Sequence, residues 1–218
     1  MSEIESSSTA PSWDISLRLF HWLLVVLIAL QYLSGEYEWF SLQWHFCFGY
    51  ATLALLLFRT AWGFFGPINA RFSAFLVGPK TVAGHIHSLF TGKLQNYPGH
   101  NPLGGWSTLL MLTSIALQIA TGMFSENDLG EAAPLASRVS EHTVRLMTRL
   151  HHLNQKLLLG LIILHLAAVL FYWAALRRNL IKPMIFSSTT SDSMWPRALL
   201  ILSISIVLVA MLIVWGGG

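Results

Sequence analysis

Hydrophobic positions gather into five stretches, near residues 16–34, 43–63, 104–124, 151–176 and 197–215, each set off from the next by a polar or mixed segment. About 20 residues of helix cross the hydrocarbon core of a bilayer, and every stretch is long enough. The pattern therefore predicts an all-α integral membrane protein. Between the spans, PKTVAGHIHSLFTGK reads as a short surface helix. In YPGHNPLGGW, Asn-Pro and the paired glycines read as a tight turn that opens the third span. EHTVRLMTRL looks helical and runs toward the fourth span, and the polar SSTTSDS precedes the fifth. The opening segment, MSEIESSSTAPSWDI, has no Lys or Arg, so it lacks the positive region of a signal peptide and the first span is expected to stay attached. No internal repeat is present.

Basic residues set the expected orientation. Arg18, Arg59, Arg71, Lys80, Lys93, Arg177, Arg178, Lys182 and Arg197 fall on one side, and Arg138, Arg145, Arg149 and Lys156 on the other. The richer side is expected to be cytoplasmic, with the N-terminus inside and, after five spans, the C-terminus outside.

Composition agrees with the pattern: 218 residues, 54% hydrophobic, 11% charged, mean hydropathy +0.58. The formal charge of +3 is spread between the spans without a clustered patch, so a nucleic-acid partner is not expected. A single cysteine, Cys47, excludes a disulfide framework, a cysteine-held iron–sulfur centre and the CxxCH attachment of c-type haem. Cys47 is expected to pack as a small apolar residue.

Histidines change the picture. An ionisable residue inside a bilayer-length apolar helix is costly to keep, so His165 reads as functional. Between His151 and His165 a helix advances about 21 Å and turns about 1400°, leaving the two imidazoles about 40° apart in azimuth. His152 sits about 140° away from His165 and reads as a neighbour to the site. A single metal needs its ligands within a few ångströms, so this spacing suits two sites at two depths, and two stacked haems are the natural occupants.

Depth arithmetic then finds the partners. His21 lies roughly 20 Å below the outer end of the first span, and His45 opens the second span at the outer surface. His21 therefore pairs with His165 at an inner level, and His45 with His151 at an outer one. By these boundaries His21 sits nearer the inner edge than His165, so span one must tilt or begin earlier.

Neutral imidazole is a good iron ligand, and two per iron leave no open position, which suits electron transfer. Haem propionates need cationic partners. Arg18 and Arg59 are candidates at the inner level, and Arg145, Arg149 and Lys156 at the outer. Arg59 could instead snorkel to the surface. Gly49, four residues past His45 on the same face, would let a porphyrin lie close to the backbone. A lone interfacial histidine is usually a hydrogen-bonded residue; it is the four at matching depths that argue for ligation. His85, His87 and His142 read as solvated loop residues, and His100 as either a turn residue or a propionate or quinone contact. No catalytic residue is assigned.

WDISLRLFHW in the first span, the histidine opening the second, GHNPLGGW before the third and HHLNQKLLLGLIILHLAA in the fourth resemble the bacterial cytochrome b561 family. That family includes the cytochrome b subunits of membrane-bound nickel–iron hydrogenases. The resemblance covers about residues 12–186. It implies a four-helix transmembrane bundle holding two b-type haems on His21, His45, His151 and His165, placed in the bacterial inner membrane. It also implies electron transfer between a quinone pool and a redox partner such as a periplasmic c-type cytochrome, dehydrogenase or hydrogenase.

The expected organisation is a polar tail over 1–15, a dihaem domain over 16–186, and a linker with a fifth, C-terminal transmembrane helix over 187–218. Whether the chain is also an enzyme stays open: one branch oxidises superoxide, and Arg145, Arg149 and Lys156 would suit a positive outer haem edge. A haem-free, histidine-lined metal or proton transporter is the remaining alternative, weakened by spans without acidic residues. The oligomeric state is not fixed.

Overall fold

The computed structural model describes residues 13–91, 101–127, 129–186 and 194–216. Five helices in it are long and apolar enough to cross a membrane: α1 (Ile15–Glu36), α2 (Leu42–Phe65), α5 (Pro102–Gly122), α6 (Glu141–Ala174) and α8 (Trp195–Gly216). In lipid each backbone polar group must be satisfied within its own segment, and helices are how such runs manage it. Short helices α3 (Phe72–Phe75), α4 (Pro79–Thr91) and α7 (Lys182–Phe186) lie between the spans. The surface helix expected in the second connection is α4.

Local signals set the boundaries. Asp14 caps α1 by accepting from the Leu17 N–H at 3.1 Å. Asn101 caps α5 through the Gly104 N–H at 2.7 Å with Pro102 at the first helical position, so the expected Asn-Pro turn is an N-cap. Helix α6 begins at Glu141, ten residues before the expected fourth span, with the Ser140 hydroxyl accepting from Thr143 N–H at 3.2 Å. Its 34 residues run about 51 Å, so one end must project beyond an apolar core of about 30 Å.

The spans pack as α1 on α2, α5 on α6 and α8 on α2, with α2 also touching α5 and α4 lying against α5. One apolar cluster joins Leu17 and Phe20 of α1, Leu55, Phe58 and Trp62 of α2 and Ala198 of α8. A second joins Leu56, Ile115 and Leu158, flanked by Leu24, Ile28 and Ile162. Leu158 lies midway between His151 and His165, so this cluster forms an apolar layer between their two depths.

Contacts at the helix ends separate the two faces of the bundle. At the end where α1 starts, called inner below, Trp22 donates to the Met184 carbonyl of α7 at 3.2 Å and Trp106 to the Val77 carbonyl at 3.0 Å. At the outer end, Gln155 donates to Glu36 at 3.1 Å, and Arg138 donates to the Trp215 carbonyl at 2.7 Å. Arg138 also stacks 4.8 Å over the Trp215 ring, which pins the end of α8.

Candidate functional site

The outer level is built on α2 and α6. His45 stands one turn inside α2 and His151 three turns inside α6, and their ring centres are 6.5 Å apart at 75°. Two imidazoles sharing one metal through bonds of about 2 Å have ring centres about 6 Å apart. The pair is thus brought to clamping distance by the helices alone.

Each ring is aimed by its neighbours. The Ser34 hydroxyl donates to the Gln31 carbonyl at 3.0 Å, so it accepts from His45 Nδ1–H at 2.9 Å. That fixes the tautomer and leaves His45 Nε2 with a free lone pair. His151 Nδ1 donates to the Gln118 carbonyl at 3.0 Å, with the Thr121 hydroxyl 3.3 Å away. The lone pair of His151 Nε2 meets the Gln118 side-chain amide at 3.1 Å. Asn154 holds that amide by donating to Gln118 Oε1 at 2.7 Å and to the Ser114 carbonyl at 2.9 Å, while the Ser114 hydroxyl donates to Asn154 Oδ1 at 2.9 Å. Ser34, Gln118, Thr121 and Asn154 were not singled out by sequence as ligand-positioning residues. Ser114 and Gln118 at i and i+4, opposite His151 and Asn154 at i and i+3, were the signal available.

Two glycines make room for the rings. A Cβ at Gly122 would meet His151 Cε1 at 2.8 Å, and one at Gly35 would meet His45 Cε1 at 3.1 Å. Gly49, the glycine expected to matter, has nothing nearer than Gln31 Nε2 at 4.0 Å. No protein atom demands glycine there.

At the inner level His21 and His165 are half-buried and lie within electrostatic reach of each other. His21 Nδ1 is buried with no hydrogen-bond partner among the described residues, and its ring stands edge-on to Trp22 at 5.1 Å. The expected depth mismatch remains as an offset of about one turn between the two helix ends if the histidines share a level. His21 lies six residues from the start of α1 and His165 nine residues from the end of α6, a difference of about one turn.

Arg59 is 2% exposed, with its guanidinium 4.8 Å over the Phe72 ring and 5.9 Å from Phe75. It is buried and does not reach the surface, Asp14 lies within electrostatic reach, and its Nη1 has no hydrogen-bond partner among the described residues. Arg18 is half-buried. At the outer end Arg149 and Lys156 are exposed, and Arg145 pairs with Glu141 at 3.4 Å.

His152 is exposed with its ring 6.2 Å from that of His151, and His87 and His142 are exposed as expected. His85 departs from expectation: it is 3% exposed, turned inward from α4 with Nε2 3.3 Å from the Tyr172 hydroxyl. Amphipathic α4 puts one face against the bundle, and His85 is on that face. Cys47 is exposed and does not pack inside. His100 lies outside the described residues.

The outer pair has the spacing and the donor chemistry of two imidazoles on one iron porphyrin, with His45 Nε2 open and the Gln118 amide having to give way at His151 Nε2. No group of three or more His, Cys, Asp or Glu that could hold a metal ion occurs among the described residues. A model of the prokaryotic cytochrome b561 family matches residues 12–187, about four-fifths of the chain. The chain belongs to the prokaryotic cytochrome b561 family. No curated protein and no solved structure matches it. Membership brings b-type haem, electron transport and a multi-pass membrane setting. The family region contains all four histidines and stops before α8, which packs on α2 from outside it.

Proposed function

We propose that the domain over residues 16–186 holds two b-type haems, one between His45 and His151 and one between His21 and His165, and carries electrons across the bacterial inner membrane between them. The observation that carries this reading is the 6.5 Å approach of the His45 and His151 rings from separate helices. Iron porphyrin with both axial positions filled supplies one-electron ferrous–ferric chemistry. The chain's part is holding and spacing. Ser34 and the Gln118 carbonyl orient the outer imidazoles, and the Leu56, Ile115 and Leu158 layer keeps water from between the levels. The 14-residue interval on α6 sets the levels about 21 Å apart.

Arg59 and Arg18 are the propionate partners at the inner level, and Arg149 and Lys156, with Arg145 if it leaves Glu141, at the outer. Gly49 leaves its face open to a flat macrocycle. The basic asymmetry supports a cytoplasmic N-terminus and a periplasmic C-terminus, and the family supports a quinone pool as one terminus of the path with a periplasmic redox protein as the other.

A reduced-minus-oxidised spectrum with haem quantified per chain tests this. Two low-spin b-type haems are expected, falling to about one in His151→Ala. A haem-free preparation would return the transporter reading. Quinone reduction by superoxide, lost on neutralising Arg149 and Lys156, would move the assignment to a superoxide oxidase.

A further inference from the structure

Between Lys156 and Arg177 the chain runs through residues 157–176 without a single Asp, Glu, Lys or Arg. As helix that run rises about 30 Å, the thickness of a bilayer's hydrocarbon core. Arg177 therefore stands at the inner edge of the hydrocarbon, at the level of lipid phosphates. It is also one of two non-glycine residues with positive φ among the described residues, at 56°. The chain turns out of α6 there, with the Arg178 N–H reaching back to the Tyr172 carbonyl at 2.9 Å. Glycine takes a left-handed position at a helix exit without steric cost, and an L side chain does not. Topology asks for basic residues in this connection, and Arg178 and Lys182 already supply them. It does not ask for arginine at a strained position, which points to a use for the side chain itself.

The space beside Arg177 is shaped for an amphiphile. Leu170 and Trp173 of α6, with Ile181, Ile185 and Phe186 at α7, line a hollow of about 460 Å³ that Lys182 borders. A second hollow, of about 360 Å³, adjoins it at Trp173 and Asn179 and is bordered by Arg177. Both volumes are in the range of small-molecule sites. The walls are held: Asn179 Oδ1 accepts from the Ile181 and Lys182 N–H groups at 3.0 and 2.9 Å, and the Met184 carbonyl of α7 accepts from Trp22 of α1 at 3.2 Å. Even so, Trp173 is 56% and Phe186 75% exposed. Residues 170–186 carry Arg177, Arg178 and Lys182 and no Asp or Glu, and among the described residues no carboxylate pairs with Arg177 or Lys182.

We propose that the two hollows are the seat of one anionic diacyl phospholipid of the inner leaflet, its phosphate at Arg177 and Lys182 and its acyl chains in the hollows that meet at Trp173. Cations at the mouth call for negative charge, and the uncovered aromatic and aliphatic wall calls for hydrocarbon. A free anion answers only the first and a neutral lipid only the second, so head and tails belong to one molecule. In a zwitterionic lipid the headgroup's own cation offsets its phosphate. Preference for a net negative head is therefore what Arg177 and Lys182 add.

This seat is separate from the haem levels. Leu170 follows His165 by five residues, which is about 140° around α6, so its wall faces away from the ligand side of that helix. The lipid site goes beyond the electron-transfer reading and does not depend on it.

The test titrates the full chain, in a neutral detergent, with dioleoyl phosphatidylglycerol or dioleoyl phosphatidylcholine and counts bound lipids by native mass spectrometry. Wild type is compared with Arg177→Gln, Lys182→Gln, Arg177→Gly and Leu170→Trp, with haem per chain measured to show that each is assembled. Wild type is expected to take its first phosphatidylglycerol in preference to phosphatidylcholine. Each Gln variant should weaken that binding about fivefold, the share of one basic residue near a lipid surface, and leave phosphatidylcholine unchanged. Leu170→Trp, which fills one hollow, should weaken both lipids. Arg177→Gly should lose the same preference yet unfold at a higher temperature than wild type in lipid-free detergent, because glycine relieves the turn. Equal binding of the two lipids by wild type, or Gln variants that keep its preference, would overturn the site and leave only unselective boundary lipid. Inorganic phosphate that displaces phosphatidylglycerol would also overturn it, since the cations would then hold an anion without its tails. If the Arg177 variants do not assemble, Lys182→Gln and Leu170→Trp decide.

Discussion

Gly122 of α5 lies against the imidazole of His151: a Cβ built on it would stand 2.8 Å from Cε1 and 3.0 Å from Nδ1 of the ring. The helix surface there is shaped to seat that ring in one orientation. Gly122→Val pushes the imidazole off its seat and off the Gln118 carbonyl that fixes its tautomer. The expected outcome is loss of about one haem per chain, read by pyridine haemochrome, with the inner level retained. Gly122→Ala should give the same defect in milder form, because the ring can yield a few tenths of an ångström.

Ser34 is 6% exposed and takes the Nδ1–H of His45. In Ser34→Ala that donor faces a methyl group, and the ring loses the contact that sets its tautomer. Outer-shell partners of this kind are worth about 10–100-fold in metal affinity. Transfer of haem from the outer level to a haem-scavenging globin should accelerate by that order, while Ser34→Thr, which keeps the hydroxyl, should stay near wild type.

How far this site could be read from sequence depends on what lipid punishes. The five spans were legible because a bilayer demands unbroken apolar length, and the four histidines drew notice because imidazoles are conspicuous in such runs. Gln118, Asn154 and Ser34 were not legible as positioning residues. Their partners depend on how one helix is rotated against another, and no period within a single segment records that. His85 was misread for a related reason. Val82, His85 and Leu89 share one face of α4, but only the placement of α4 against α5 and the end of α6 shows that this face is covered.

Asn154 is 4% exposed and satisfies Gln118 Oε1, the Ser114 carbonyl and the Ser114 hydroxyl at once. Asn154→Leu leaves those groups without their partner in an apolar core, and each orphan costs roughly 1–3 kcal/mol. A fall in the unfolding midpoint in detergent is expected. Adding Gln118→Leu should recover part of it by removing one orphan, so the double variant is less destabilised than the sum of the singles. Strict additivity would mean the three residues do not act as one network.

Burial lowers the pKa of His85 in the folded chain from its ordinary 6.5, so the folded state favours the neutral ring. The unfolded chain takes up the proton first as pH falls. Stability contributed by the neutral ring is therefore complete above about pH 6.5 and is lost progressively below it, until the folded state also protonates. Thermal unfolding at pH 7.5 and 5.5 should show a larger drop for wild type than for His85→Gln. An equal drop in the two proteins would mean that the burial of His85 is not what penalises its charged form.

Arg59 separates two roles that look alike in the fold. A buried guanidinium whose Nη1 has no partner among the described residues carries a desolvation penalty that stacking on Phe72 offsets only in part, so on stability alone an apolar replacement should be tolerated. If Arg59 is the partner of an inner haem propionate, the same change removes a charge-assisted contact that only the loaded protein makes. Arg59→Met is then expected to leave the haem-free chain as stable as wild type or more so, while inner-level haem occupancy falls and outer-level occupancy does not. Equal haem content in both proteins would assign Arg59 to the fold, and a collapse of the haem-free chain would assign it to packing against Phe72, Phe75 and Asp14.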